Sequence, residues 1–166
     1  MSRHAKLGFG APQFSDDLKA AMHVAHGLAL SRRREIAMEE FLAGLYVGCF
    51  ERLLRYWTDW RHLTAFMAEN CGLSRPAWTY WTGVCDDPAQ EISDSFIRCS
   101  ADVNRILNDA KEISLAAPLG GEKAVLRLEH VLSSVARNRQ FRLCEGLVAS
   151  GLDLAQIGKK GKKGTA

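Results

Sequence analysis

Few residues in this chain have the types and spacing that chemistry needs. His23 and His26 stand three apart, so a helix would put both imidazoles within reach of one metal ion. A metal site also needs a third ligand and a supporting shell, and no third ligand falls at a telling spacing. His62 and His130 lie elsewhere in the chain. No nucleophile elbow and no Cys-His signature is present. The phosphate-cradling pattern GxxxxGK[ST] is absent. The glycine–lysine repeats near residue 160 lack its spacing and follow no strand. A nucleotide motor is thereby excluded for this stretch of chain, and the expectation is a non-catalytic protein without a cofactor.

The aromatic residues are left as the candidates. Tyr56, Trp57 and Trp60 form one cluster, and Trp78, Tyr80 and Trp81 form a second in a loop-like stretch. Such rings either anchor a binding partner or close over the core. On a continuous helix Tyr56 and Trp60 share a face, while Trp57 points elsewhere. The five cysteines (Cys49, Cys71, Cys85, Cys99 and Cys144) contain no CxxC pair. Their odd number suits a reducing compartment better than a disulfide framework. Cys49, Cys99 and Cys144 lie in apolar helical stretches, where a free thiol acts as a small hydrophobe.

The elements that must position these residues are helical. With 166 residues, 47% hydrophobic and 25% charged, the chain can bury a core as one domain or two subdomains sharing it. No run approaches the roughly 18 apolar residues that suggest a membrane span. The start, MSRHAKLGFGAPQ, has no apolar signal region, so the expected location is the cytoplasm. The net charge of +3 owes much to four lysines in Gly158 to Ala166. That tail reads as a flexible end. A nucleic-acid arm would need a basic face on the body as well, and none can be assembled.

Residues 1–13 read as a leader. Ser15 is a helix cap with Asp16 and Asp17 behind it. Leu18, Ala21, Met22, Ala25, Leu28 and Ala29 then give one apolar face. Ile36 to Tyr46 is a second amphipathic stretch. The same helix is expected to continue through Phe50 to Leu54, with Gly44 and Gly48 as weak points or close-packing sites. A helix from about Trp60 to Asn70 stops at Gly72. Residues 74–98 form a connector punctuated by Pro76, Gly83 and Pro88. The pattern then restarts. Ser100 caps a helix whose Val103, Ile106, Leu107, Ala110 and Ile113 repeat the first face at an offset of 85 residues. Leu126 to Ala136 echoes Ile36 to Tyr46 at an offset of 90 residues, after a break at Pro118, Gly120 and Gly121. A last helix covers about Arg139 to Ala149. The expected fold is all-α: two tandem helical repeats, 14–73 and 99–157, packed as a pseudo-twofold bundle. No run of period-2 alternation predicts a sheet.

This duplication resembles the Clp N-terminal repeat, the double repeat that precedes the ATPase rings of Clp/Hsp100 unfoldases. The matching residues are Leu18–Met22–Ala25–Ala29 with Val103–Leu107–Ala110, and Glu39–Glu40–Phe41–Leu42 with Glu129–His130–Val131–Leu132. The stretch from Leu147 to Leu154 matches the closing signature. The resemblance spans about residues 14 to 157. It implies a protein-binding domain that recognises a client or adaptor and works with a Clp-type ATPase ring in trans or a secretion system. It also implies a monomer. Glu39 and Glu129 occupy the motif-glutamate places, which in some family members help recognise phosphorylated arginine. The family usually has Thr or Ser just before that glutamate. Met38 and Leu128 stand there instead, so that ligand does not carry over. Candidate partner-binding residues are therefore Tyr56, Trp57, Trp60, Trp78, Tyr80, Trp81, Glu39 and Glu129. The alternatives are a stand-alone helical interaction protein, or a nucleic-acid binder using the basic tail.

Overall fold

Helix α1 (Asp16–Ser31) starts where Ser15 turns extended and Asp16 and Asp17 enter the first turn. The Ser15 hydroxyl does not cap the helix. It donates to Asp17 Oδ1 at 2.7 Å. The other end closes in a Schellman turn, with Arg34 N–H on the Ala29 carbonyl and Arg33 N–H on the Leu30 carbonyl, both at 3.0 Å. The computed structural model describes residues 13–73, 98–116 and 125–157. The sequence-predicted connector apart from Arg98, the tail, most of the leader and the break at Pro118 to Gly121 lie outside the described residues.

Helix α2 (Met38–Gly48) packs along α1, and its buried face includes Phe41, Leu42 and Leu45. The two backbones approach closely because Gly44 and Gly48 face Ala21 and Ala25. These glycines are close-packing sites. The helix does not run on through Leu54. It breaks at Cys49 (φ −122°), and a short α3 (Phe50–Leu53) and a 3-10 turn (Leu54–Tyr56) follow. Helix α4 (Trp60–Cys71) is capped by Asp59, which accepts Arg61 N–H at 3.0 Å. It stops at Gly72, whose φ of 73° suits glycine. Helix α5 (Ala101–Ala116) is capped by the Ser100 hydroxyl, which accepts Val103 N–H at 3.3 Å. Helices α6 (Leu128–Arg137) and α7 (Arg142–Ala149) and a single turn of helix at 154–157 complete the described chain.

The fold is all-α. Its only sheet among the described residues is a parallel pair of two-residue strands, β1 (Gln13–Phe14) and β2 (Val125–Leu126). Strands this short leave no alternation to detect in sequence. Ser15 N–H extends the pairing to the Leu126 carbonyl at 2.9 Å. A parallel bridge joins Ile36 to Cys99, held by Ile36 N–H on Arg98 and Ser100 N–H on Ile36 at 2.8 and 2.9 Å. So the lead into α1 lies beside the lead into α6, and the lead into α5 lies beside the lead into α2. An antiparallel bridge ties Trp57 to Leu152.

One apolar cluster runs through these elements. Leu18, Ala21, Met22 and Ala25 of α1 and Val103, Ile106, Leu107 and Ala110 of α5 are all buried in it. Ile113 is only half-buried, and Ser114 is buried beside it with its hydroxyl on the Lys111 carbonyl at 2.7 Å. Cys49, Cys71, Cys99 and Cys144 are buried and free, and burial pushes each thiol up to about 12. At pH 8 almost none of each is thiolate, the reactive form. Alkylation by iodoacetamide, mapped by mass spectrometry, should therefore leave these four unmodified in the native protein and label them all in guanidinium.

Candidate protein-interaction site

Both motif glutamates sit in the first turns of helices, where a carboxylate faces the positive end of the dipole. Neither helix has a hydroxyl cap. The cap residues are Ala37 and Arg127, one place earlier than the family's Thr or Ser would suggest. Neither side chain can accept a hydrogen bond. Half of a capping box survives at each. Ala37 N–H donates to Glu40 Oε1 at 2.9 Å, and Arg127 N–H donates to His130 Nδ1 at 3.0 Å. To accept there, Nδ1 must be unprotonated, and burial, with Arg127 nearby, lowers the His130 pKa in that direction.

Glu40 is fully buried, and Arg32 and Arg34 both donate to its carboxylate. Burial alone would raise its pKa, but the bonds from Arg34, Arg32 and the Ala37 N–H outweigh that and hold it below the usual value. Glu39 is more open and is paired by Arg34 at 2.6 Å. Glu129 lies deeper, with 15% of its side chain exposed. Arg52 from α3 donates to it at 2.8 Å, and the Tyr56 hydroxyl donates to the same oxygen. The other arm of Arg52 reaches Asp17 in the first turn of α1 at 3.0 Å. One guanidinium thus fastens the starts of α1 and α6 together. Sequence reasoning missed Arg52, because a contact across 77 positions leaves no periodic trace.

The aromatic residues part company. Tyr56 and Trp57 are buried, Tyr56 with its hydroxyl on Glu129 and Trp57 with its indole N–H on the Ser150 hydroxyl at 2.9 Å. Tyr56 and Trp60 do not share a helical face. The 3-10 turn ends at Tyr56 and Trp57 is extended (ψ 135°), so the helix that would align them is interrupted. Trp60 stays 49% exposed in the first turn of α4. It borders an open pocket of about 440 Å³ with Leu54, Trp57, Thr58, Asp59 and Arg61. Trp78, Tyr80 and Trp81 lie outside the described residues.

Among the described residues no group of three metal-ligating side chains exists, at His23 and His26 or elsewhere. Burial, and to a lesser degree His23, lowers the pKa of His26. No helix among the described residues is long and apolar enough to cross a membrane. No family model and no curated protein matches the chain.

Proposed function

We propose that this chain is a protein-binding domain of the Clp N-terminal type, non-catalytic, which recognises a client or adaptor for an unfoldase or secretion system. The observation that carries this reading is the reciprocal pairing of the helix leads. Phe14 and Cys99 are equivalent positions of the two sequence units, as are Ile36 and Leu126. Phe14 pairs with Leu126, and Ile36 pairs with Cys99. Exchange of equivalent partners is what a pseudo-twofold double repeat demands, and the resemblance rests on that repeat. Two helix starts with paired glutamates at equivalent places add to it.

The binding residue favoured by exposure is Trp60, with Arg61 and Leu54 beside it. Trp57 lines the same pocket from the core side. The test uses the full chain, a Clp-type ATPase ring and a fluorescently labelled unfolded casein as client. Fluorescence anisotropy should show binding to the ring or to the client. Trp60→Ala should weaken that binding roughly tenfold or more, as loss of an aromatic anchor does, with the unfolding midpoint unchanged. Failure to bind either probe refutes the family reading. Binding that Trp60→Ala leaves intact refutes the Trp60 surface alone.

A further inference from the structure

A second pocket, of about 450 Å³, lies at the C-terminal end of α1, where His26, Ala29 and Leu30 meet Arg33, Arg34, Glu35, Ile36 and Arg98. Its floor is apolar: Ala29 and Ile36 are buried, while Leu30 stands 63% exposed at the mouth. That volume accommodates one or two aliphatic side chains. Its walls are fixed by backbone bonds. The Schellman turn holds Arg33 and Arg34, and Ile36 N–H on the Arg98 carbonyl at 2.8 Å locks the two segments together.

The charges around the floor are of two kinds. Arg34 is committed to Glu39 and Glu40. Arg33 and Arg98 are exposed, and no salt bridge among the described residues engages either one. Glu35 is the single carboxylate in the lining. Arg33 also occupies a place where its side chain is costly to the backbone. Its φ is 55°, at the helix-ending position that ordinarily goes to glycine. The turn itself would be served better by glycine, so the guanidinium needs another reason to be there.

We propose that this pocket docks an acidic peptide segment, an aliphatic side chain seated over Ala29, Leu30 and Ile36 and flanking carboxylates paired by Arg33 and Arg98. Guanidinium forks match carboxylates in bidentate geometry. A nucleic acid fits less well, because the floor of Ala29, Leu30 and Ile36 is aliphatic and His26 is the only ring in the lining on which a base could stack. The surface is separate from the Trp60 pocket, and its standing does not depend on the family reading.

The probe is a fluorescein-labelled peptide of alternating glutamate and leucine, with a lysine-for-glutamate peptide and a serine-for-leucine peptide as controls. The glutamate–leucine peptide should bind the full chain, with affinity falling as salt rises, and both controls should bind at least tenfold more weakly. Arg33→Gly should keep or raise the melting temperature while weakening binding at least tenfold. Arg98→Gln should weaken it similarly and leave the melting temperature in place. The proposal is overturned if the glutamate–leucine peptide does not bind, if the lysine peptide binds as well, or if both variants bind like the parent. It is overturned in favour of a second copy of this chain if the protein self-associates, Leu30→Ser abolishes the association, and the peptide does not compete with it.

Discussion

Gly44→Ala should destabilise the protein by about 1–2 kcal/mol, although alanine is the better helix former. A methyl group at position 44 would sit 2.3 Å from the Ala21 carbonyl oxygen and 2.9 Å from the Ala25 methyl. The first of these is backbone and cannot swing aside, so α1 and α2 must move apart. Overpacking of this kind costs about 1–3 kcal/mol, and here it involves the contact on which two helices are assembled. Against it stands the propensity gain from glycine to alanine, about 1 kcal/mol in an unobstructed helix. The clash wins because it acts on the main chain. Gly27 supplies the internal control. It lies on the exposed side of the same α1, and a methyl group there would meet nothing within 4 Å. Gly27→Ala should therefore stabilise by about 0.5–1 kcal/mol. Urea midpoints of the two variants should move in opposite directions, and a shift in the same direction would refute the close-packing argument.

The second large effect concerns Glu129. Glu129→Ala should cost about 2–3 kcal/mol at neutral pH, most of it from the Tyr56 hydroxyl, which is buried and would lose its acceptor. The ion pair with Arg52 weighs less, since the Arg52 side chain is 38% exposed and keeps Asp17. Glu129→Gln retains an oxygen for Tyr56 and should cost only about 1 kcal/mol. The pH dependence has a definite sign. Burial raises the Glu129 pKa, but the bonds from Tyr56, its own backbone N–H and Arg52 prevail, so the folded value lies below the ordinary one. A lowered folded pKa contributes stability that is complete above the unfolded carboxyl value, about 4.3. That contribution is lost as pH falls through the folded value. The stability gap between parent and Glu129→Gln should be flat from pH 6 to 8 and close below about pH 4. A gap that widens on acidification would show that the carboxylate is not the stabilised form.

Much of the helical content was legible. The faces of α1 and α5 were written as spaced apolar residues, and Gly72 marked a stop because only its αL conformation closes α4. The site was less so. Spacing tells which side chains share a face only while the helix is unbroken, and the turn at Leu54–Tyr56 separated Tyr56 from Trp60. Trp57 and Trp60 read alike in sequence. Only tertiary packing decides that one indole meets Ser150 and the other meets water. The caps were missed because Ala37 and Arg127 carry no acceptor, and the bonding falls to Glu40 and His130 two residues after Met38 and Leu128. Arg33 is one of three consecutive arginines, and spacing alone does not separate it from the other two. Its left-handed backbone, the feature that singles it out, is a property of the turn geometry.

The crossed pairing of the helix leads also bears on the order in which the molecule can assemble. Gln13 finds its strand partner only at Val125, and Ile36 finds its partner at Cys99. Helices can form locally within microseconds, but pairings this distant must first meet the entropy of closing a long loop. During synthesis Ile36 can pair once Cys99 has emerged, but Gln13 and Phe14 stay without their strand partners until Val125 and Leu126 have been made. The β1–β2 pairing is therefore the later of the two to form, and a chain stalled before Val125 would carry the Gln13–Phe14 edge unpaired.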